Sequence, residues 1–278
     1  MSMADSERFR SGPVQSTDGV QIAVHDLGGT GAALLISHAT GFHGRCYTPL
    51  ANALAASFHS IAFDYRGHGD TGRPAGEIDW DRYGDDAVAM ATWLVDQTGT
   101  PIDAFGHSMG GACLLMAAHR APGLFRRLVV FEPIVFPPGG LGNAPTNSAE
   151  GFESPMVSGA RRRRSTFASY DAAIANFANK PPLNAFTPAA LDAYVRYGFA
   201  QSADGEVHLK CSPDTEAGTF ATGGVHQTWE HLPTSMIAGP VAERLPNGRF
   251  VQRDDLNHFG PMTHPTAIAE LIADELTR

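Results

Sequence analysis

Ser108 lies in Gly106-His107-Ser108-Met109-Gly110-Gly111, with a glycine two residues away on each side. The apolar run 102–105 precedes it, and Leu114, Leu115 and Ala118 follow at helical spacing. The pattern predicts a strand, a tight turn and a helix in succession. Such a turn strains the serine backbone and lifts its hydroxyl above the sheet, and side chains at positions 106 and 110 would collide with neighbouring backbone. The helix N-terminus behind Ser108 offers N–H groups and the positive end of a dipole to a developing oxyanion. The implied chemistry is nucleophilic attack by a serine hydroxyl. That group is a poor nucleophile at neutral pH and needs an adjacent general base. Twelve histidines compete for that role, so most are bystanders.

The elements that must position these residues follow from apolar periodicity. Residues 20–25 alternate as a half-exposed strand does, whereas 32–37, 61–63, 102–105 and 128–131 are continuous apolar runs suited to central strands buried on both faces. Between them, 81–97 carries Ala87, Met90, Ala91, Leu94 and Val95 at helical spacing. Alternating strands and helices predict an α/β fold with a mostly parallel sheet and helices on both faces. The pattern breaks after Phe136: residues 137–158 are rich in Pro, Gly and Ser, and helical stretches are expected over 160–179, 188–201 and 214–222. Strand-like runs resume at 235–238 and 249–251, and a last helix is expected over 265–276 with Pro265 in its first turn. The expected organisation is one core domain, residues 1–136 and 231–278, with 137–230 inserted as a mostly helical lid packed over Ser108 around an apolar pocket.

Two further segments flank the elbow in order. Ser37-His38-Ala39-Thr40-Gly41-Phe42-His43-Gly44 follows the first buried strand, and Phe63-Asp64-Tyr65-Arg66-Gly67-His68-Gly69-Asp70-Thr71 follows the next. With the Gly-x-Ser-x-Gly turn, they make the chain resemble the α/β-hydrolase superfamily over nearly all of its length outside the lid. The resemblance implies an α/β-hydrolase fold, a serine-dependent hydrolase, and the chain order nucleophile, acid, histidine. His258, in Asn257-His258-Phe259-Gly260, matches the family's catalytic histidine; His226, His231 and His264 are the bystander candidates, and His107 is expected to pack. The acid departs from the common pattern. Where many members carry Gly-x-x-Asp, this chain has Ala238-Gly239-Pro240-Val241-Ala242-Glu243. Glu132 ends the preceding apolar strand, on the side of a parallel sheet where active sites form, and some relatives such as haloalkane dehalogenases place their acid there. Glu132 is therefore assigned to orient His258, with Glu243, Asp254 and Asp255 as alternatives. The Met109 and Thr40 amides are the expected oxyanion donors, and Asp64, Arg66 and His68 are expected to be structural.

Net charge and composition narrow the partners. The 278 residues carry a net charge of −9, with 29 acidic against 20 basic residues, which argues against nucleic acid. Three cysteines are too few and scattered for a disulfide framework or a zinc site, and Gly28-Gly29-Thr30-Gly31 lacks the Lys-Ser/Thr of a phosphate loop. No cofactor or metal is expected. The first residues lack the apolar core of a signal peptide, and no apolar run approaches a membrane span, so a cytoplasmic monomer or homodimer is expected. The run Arg161-Arg162-Arg163-Arg164 is expected to be a solvated helix face. The expected activity is hydrolysis of a small to medium, largely apolar carboxylic ester. The same triad also serves lactonases, thioesterases, amidases, carbon–carbon bond hydrolases and perhydrolases. A non-catalytic small-molecule binder is the reading from another class.

Overall fold

The computed structural model describes residues 9–10, 12–136, 154–223, 226–230, 245 and 247–278. A short antiparallel pair, β1 (Val14–Gln15) and β2 (Gln21–Ile22), leads into β3 (Val24–Gly28) and β4 (Ala32–Ser37). Then come α1 (Thr48–Leu54), β5 (Phe58–Phe63), α2 (Trp80–Thr98), β6 (Ile102–His107), α3 (Met109–Arg120) and β7 (Phe125–Phe131). These strands form a five-stranded sheet in the order β3-β5-β4-β6-β7. All neighbours are parallel except β3, which runs antiparallel to β5.

The runs of β4, β5 and β6 have the cause expected of them, whereas β7, expected to be buried on both faces, ends the described sheet and is only half-buried. Along β4, Leu34 and Ile36 enter one core with α1, while Ala33 and Leu35 enter another with α2 and α3. Successive side chains of a strand point to opposite faces, so a strand covered on both sides must be apolar throughout. The α2 helix is delimited by local chemistry: the Asp79 carboxylate accepts from the Asp81 N–H at its start, and Gly99, at φ 70°, closes its end by donating to the Val95 carbonyl.

The stretch 154–222 contains α4 (Pro155–Arg161), β8 (Thr166–Phe167), α5 (Tyr170–Phe177), α6 (Pro188–Gly198), β9 (Phe199–Gln201), β10 (Val207–Leu209) and α7 (Pro213–Thr222). It departs from the expected continuous helices. The stretch 160–179 is broken because 166–167 pairs with β10 and Ser169 starts a fresh helix by capping the Ala172 N–H. The stretch 188–201 stops at Gly198, after which the chain pairs with β10 as β9, giving a three-stranded antiparallel sheet. After it come α8 (Gly260–Thr263) and α9 (Pro265–Thr277). Residues 249–251, expected as a strand, are irregular; Phe250 and Val251 are 48% and 39% exposed, so no face of them is buried against the sheet. Residues 235–238 lie outside the described residues.

The loops after β4 and β5 are held by buried polar contacts. The Asp64 carboxylate accepts from the Gly44 N–H (2.7 Å), the Asp70 N–H (2.7 Å) and His25 Nε2 (2.8 Å). Burial alone would raise its pKa, but the His25 hydrogen bond and the neighbouring histidines hold it well below the carboxylate range. Arg66 donates to both oxygens of the fully buried Asp86, at 2.9 and 2.7 Å, and reaches Asp18 at 2.9 Å. His38 Nδ1 donates to the Ala39 carbonyl and its Nε2 accepts from the Tyr65 N–H, so its tautomer is set by two backbone partners.

Removing one member of a buried charge pair strands the other. Asp86→Ala should lower stability by about 3–5 kcal/mol in urea unfolding, and Arg66→Met with Asp86→Leu should recover most of that loss. A second expectation concerns acid. Burial lowers His38 to about 3 and His43 and His68 to about 4, from an ordinary 6.5. Between those limits the unfolded chain binds more protons than the folded one, so stability rises with pH there. Urea midpoints should hold above pH 7, fall progressively from about pH 6.5 towards 4, and fall further as Asp64 is forced to protonate.

Candidate active site

Ser108 joins β6 to α3 at φ 56° and ψ −116°. Non-glycine residues avoid positive φ, and where they adopt it the surroundings must hold them there. The Ser108 N–H donates to the Phe131 carbonyl (2.9 Å), and the Ser108 carbonyl accepts from the Ala112 and Ile134 N–H groups (3.2 Å each). The flanking glycines leave space for this turn. A Cβ on Gly106 would stand 2.7 Å from Gly111 Cα, and one on Gly110 would stand 2.3 Å from the Ser37 carbonyl oxygen.

Glu132 follows β7 directly and also has positive φ, at 45°. The Ser108–Phe131 hydrogen bond continues the β6–β7 pairing into the turn, so Glu132 emerges beside the serine. Its Oε2 lies 2.5 Å from His258 Nδ1. A carboxylate only accepts, so Nδ1–H donates and the lone pair of the ring sits on Nε2, the tautomer a general base requires. The competing acids are engaged elsewhere: Asp254 accepts from Gln252, and Asp255 pairs with Arg253. Glu243 and His231 lie outside the described residues. His226 stacks on Trp80 at 4.6 Å and bonds Thr228, while His264 sits at the start of α9 against Thr263.

The Thr40 loop meets the first turn of α3 through Ser37. Its Oγ donates to the Gly110 carbonyl (3.0 Å) and accepts from the Tyr65 hydroxyl (2.7 Å). Both Thr40 and Met109 are buried at this junction, and Thr40 lies within a turn closed by the Phe42 N–H on the Ala39 carbonyl. Gly41 has φ 75°, and a Cβ there would lie 2.4 Å from Glu216 Oε1. Glu216 therefore presses its carboxylate against this loop from α7.

Two expectations need correction. Arg163 is not part of a solvated face. Its guanidinium donates to both Glu216 oxygens (2.8 and 2.7 Å) and to the Tyr194 hydroxyl, and it lies over the Phe177 and Tyr194 rings. A four-arginine run in sequence cannot show which member turns inwards; the acidic and aromatic partners come from α5, α6 and α7. His107 is fully buried, as a packing residue would be, but its Nε2 also donates to the His258 carbonyl at 2.8 Å. Its partner lies 151 residues along the chain and leaves no local pattern in the sequence.

Among the described residues, His25, Asp64 and Asp70 converge closely enough to suggest metal ligation. Their lone pairs are already committed: Asp64 accepts three hydrogen bonds, and Asp70 pairs with Lys210 at 2.6 Å. The cluster is a scaffold beneath the loops. No helix of the described residues is long and apolar enough to cross a membrane.

Comparison with known proteins agrees with this architecture. Monoglyceride lipase of Homo sapiens is 33% identical over 107 residues, covering 37% of this chain and 35% of that protein. The 2-(acetamidomethylene)succinate hydrolase of Mesorhizobium japonicum is 29% identical over 104 residues, covering 37% and 36%. These matches span little more than a third of the curated relatives' length. Among solved structures, E-2-(acetamidomethylene)succinate hydrolase superposes with a TM-score of 0.71 at 18% identity, over 96% of this chain and 99% of that one. A thermophilic esterase from Thermogutta terrifontis, in its malate-bound structure, gives 0.63 at 18% identity, over 96% and 97%. At these identities the structural likeness shows the fold alone. The family itself is shown by the sequence pattern of the alpha/beta hydrolase family, which matches residues 33–271, and the chain belongs to that family.

Proposed function

We propose that the protein is a serine hydrolase that cleaves carboxylic esters through Ser108, His258 and Glu132. The observation that carries this reading is the 2.5 Å contact of Glu132 with His258 Nδ1, beside a serine held at positive φ. His258 Nε2 takes the Ser108 proton as Oγ attacks the acyl carbon. The Thr40 and Met109 amides bind the resulting oxyanion. Collapse breaks the acyl–oxygen bond, and His258 returns the proton to the departing alkoxide, which leaves as the alcohol. Water, deprotonated by His258, then attacks the acyl-enzyme and releases the carboxylic acid with Ser108 restored. Glu132 keeps Nδ1 protonated and stabilises the imidazolium in both halves.

Residues 137–230 serve in this proposal as a lid on a core formed by 1–136 and 231–278. The support is an aromatic cluster at the junction: Phe42 meets Phe186 at 5.9 Å, Tyr194 at 5.5 Å and Phe259 at 6.4 Å between ring centroids. Apolar walls of this kind suit a small to medium, largely apolar ester. The named relatives widen the panel to glycerol monoesters and to acetamidomethylene succinate.

A fluorophosphonate probe should add once to the wild-type chain and not to Ser108→Ala, read by intact mass. Glu132→Gln should fold normally and lose about 10³–10⁴-fold in kcat. Folded wild-type protein that takes no adduct and turns over no ester of the panel would overturn the proposal.

A further inference from the structure

His107 and Tyr47 form a hydrogen-bonded chain whose polarity is fully determined. The His258 carbonyl can only accept, so His107 Nε2 carries the proton of that 2.8 Å bond. Burial, the chief cause, holds the His107 pKa at about 3, so the ring is neutral near pH 7 and its Nδ1 bears a lone pair. The Tyr47 hydroxyl, 2.8 Å away, must donate to that lone pair. The same hydroxyl oxygen accepts from the Ala39 N–H at 3.1 Å. Ala39, Tyr47 and His107 are at most 4% exposed, so water does not compete for these bonds. The chain runs from the loop of Thr40, through the residue beside Ser108, to the backbone of His258.

We propose that Tyr47 and His107 are positioning residues that hold the His258 loop in register with the Ser108 turn and the Thr40 loop. This rests on the catalytic reading above. Glu132 fixes the His258 ring from the side-chain end, but a side-chain contact leaves the backbone free to shift along the turn. The His107 bond removes that freedom, and Tyr47 removes the same freedom from the residue preceding Thr40. Neither side chain needs to touch substrate. Both act through the placement of other groups, where a displacement of about 1 Å costs about 100-fold in rate.

The test compares Tyr47→Phe, His107→Leu and His107→Gln, each counted by fluorophosphonate titration so that rates refer to folded, reactive sites. Gln places an amide N–H near the Nε2 position and keeps the donor to the His258 carbonyl. His107→Leu should lower kcat by about 100-fold with KM within about twofold, and His107→Gln should recover at least about tenfold of that loss. Tyr47→Phe should lower kcat by about tenfold, and adding it to His107→Leu should lower kcat little further, because both break one chain. Equal losses in the Leu and Gln variants, additive losses in the double variant, or losses in KM alone would overturn the inference. Wild type that fails to react with the probe would instead sink the catalytic reading beneath it.

Discussion

Ser108 sits at a backbone conformation that costs a side-chain-bearing residue of order 1–3 kcal/mol, and the surrounding architecture exists in large part to hold it there. Three main-chain hydrogen bonds clamp its amide and carbonyl, and two of them come from the chain that runs out of β7. The parallel pairing of β6 and β7 is therefore a precondition of the turn as well as a support for the sheet. The same pairing delivers Glu132 beside the serine. Glu132 shares the unusual backbone sign, so the strain at the two residues comes from a single arrangement of two neighbouring strand ends.

Around this arrangement the loops are built on buried polar contacts of fixed direction. Asp64 gathers the N–H groups of Gly44 and Asp70, Arg66 spans Asp86 and Asp18, and His38 bridges two backbone groups. These donors and acceptors are satisfied within the protein and away from water, so the loops have few alternative packings of similar energy. Helix α7 joins this scheme through Glu216, whose carboxylate is tied by Arg163 and lies against Gly41.

The legible parts of the sequence were those decided within a few residues. The glycines around Ser108, the apolar stretches that mark β4 to β7 and Pro265 at a helix start all act locally, and local chemistry leaves a pattern. Glu132 was singled out because a carboxylate at the C-terminal end of a parallel strand sits on the side of the sheet where such sites form. The pairing of Arg163 with Glu216 joins residues 53 apart, and that of His107 with the His258 carbonyl joins residues 151 apart. Such pairings leave no periodic trace, and a run of four arginines hides its one inward member. The strands β8 to β10 were missed because stretches of two or three residues are too short to show alternation, and because their pairing is decided by the neighbour strand.

The position of Glu132 has a consequence for how this chain can diverge. Ser108 and Glu132 stand at the ends of the paired strands β6 and β7, so under the proposed mechanism nucleophile and acid share one mount, and His258 is the member that comes from outside the sheet. Under that reading the sequence 239–245 need present no acid. Changes there would leave Glu132 in place, so this part of the chain is open to a drift that the two strand ends are not.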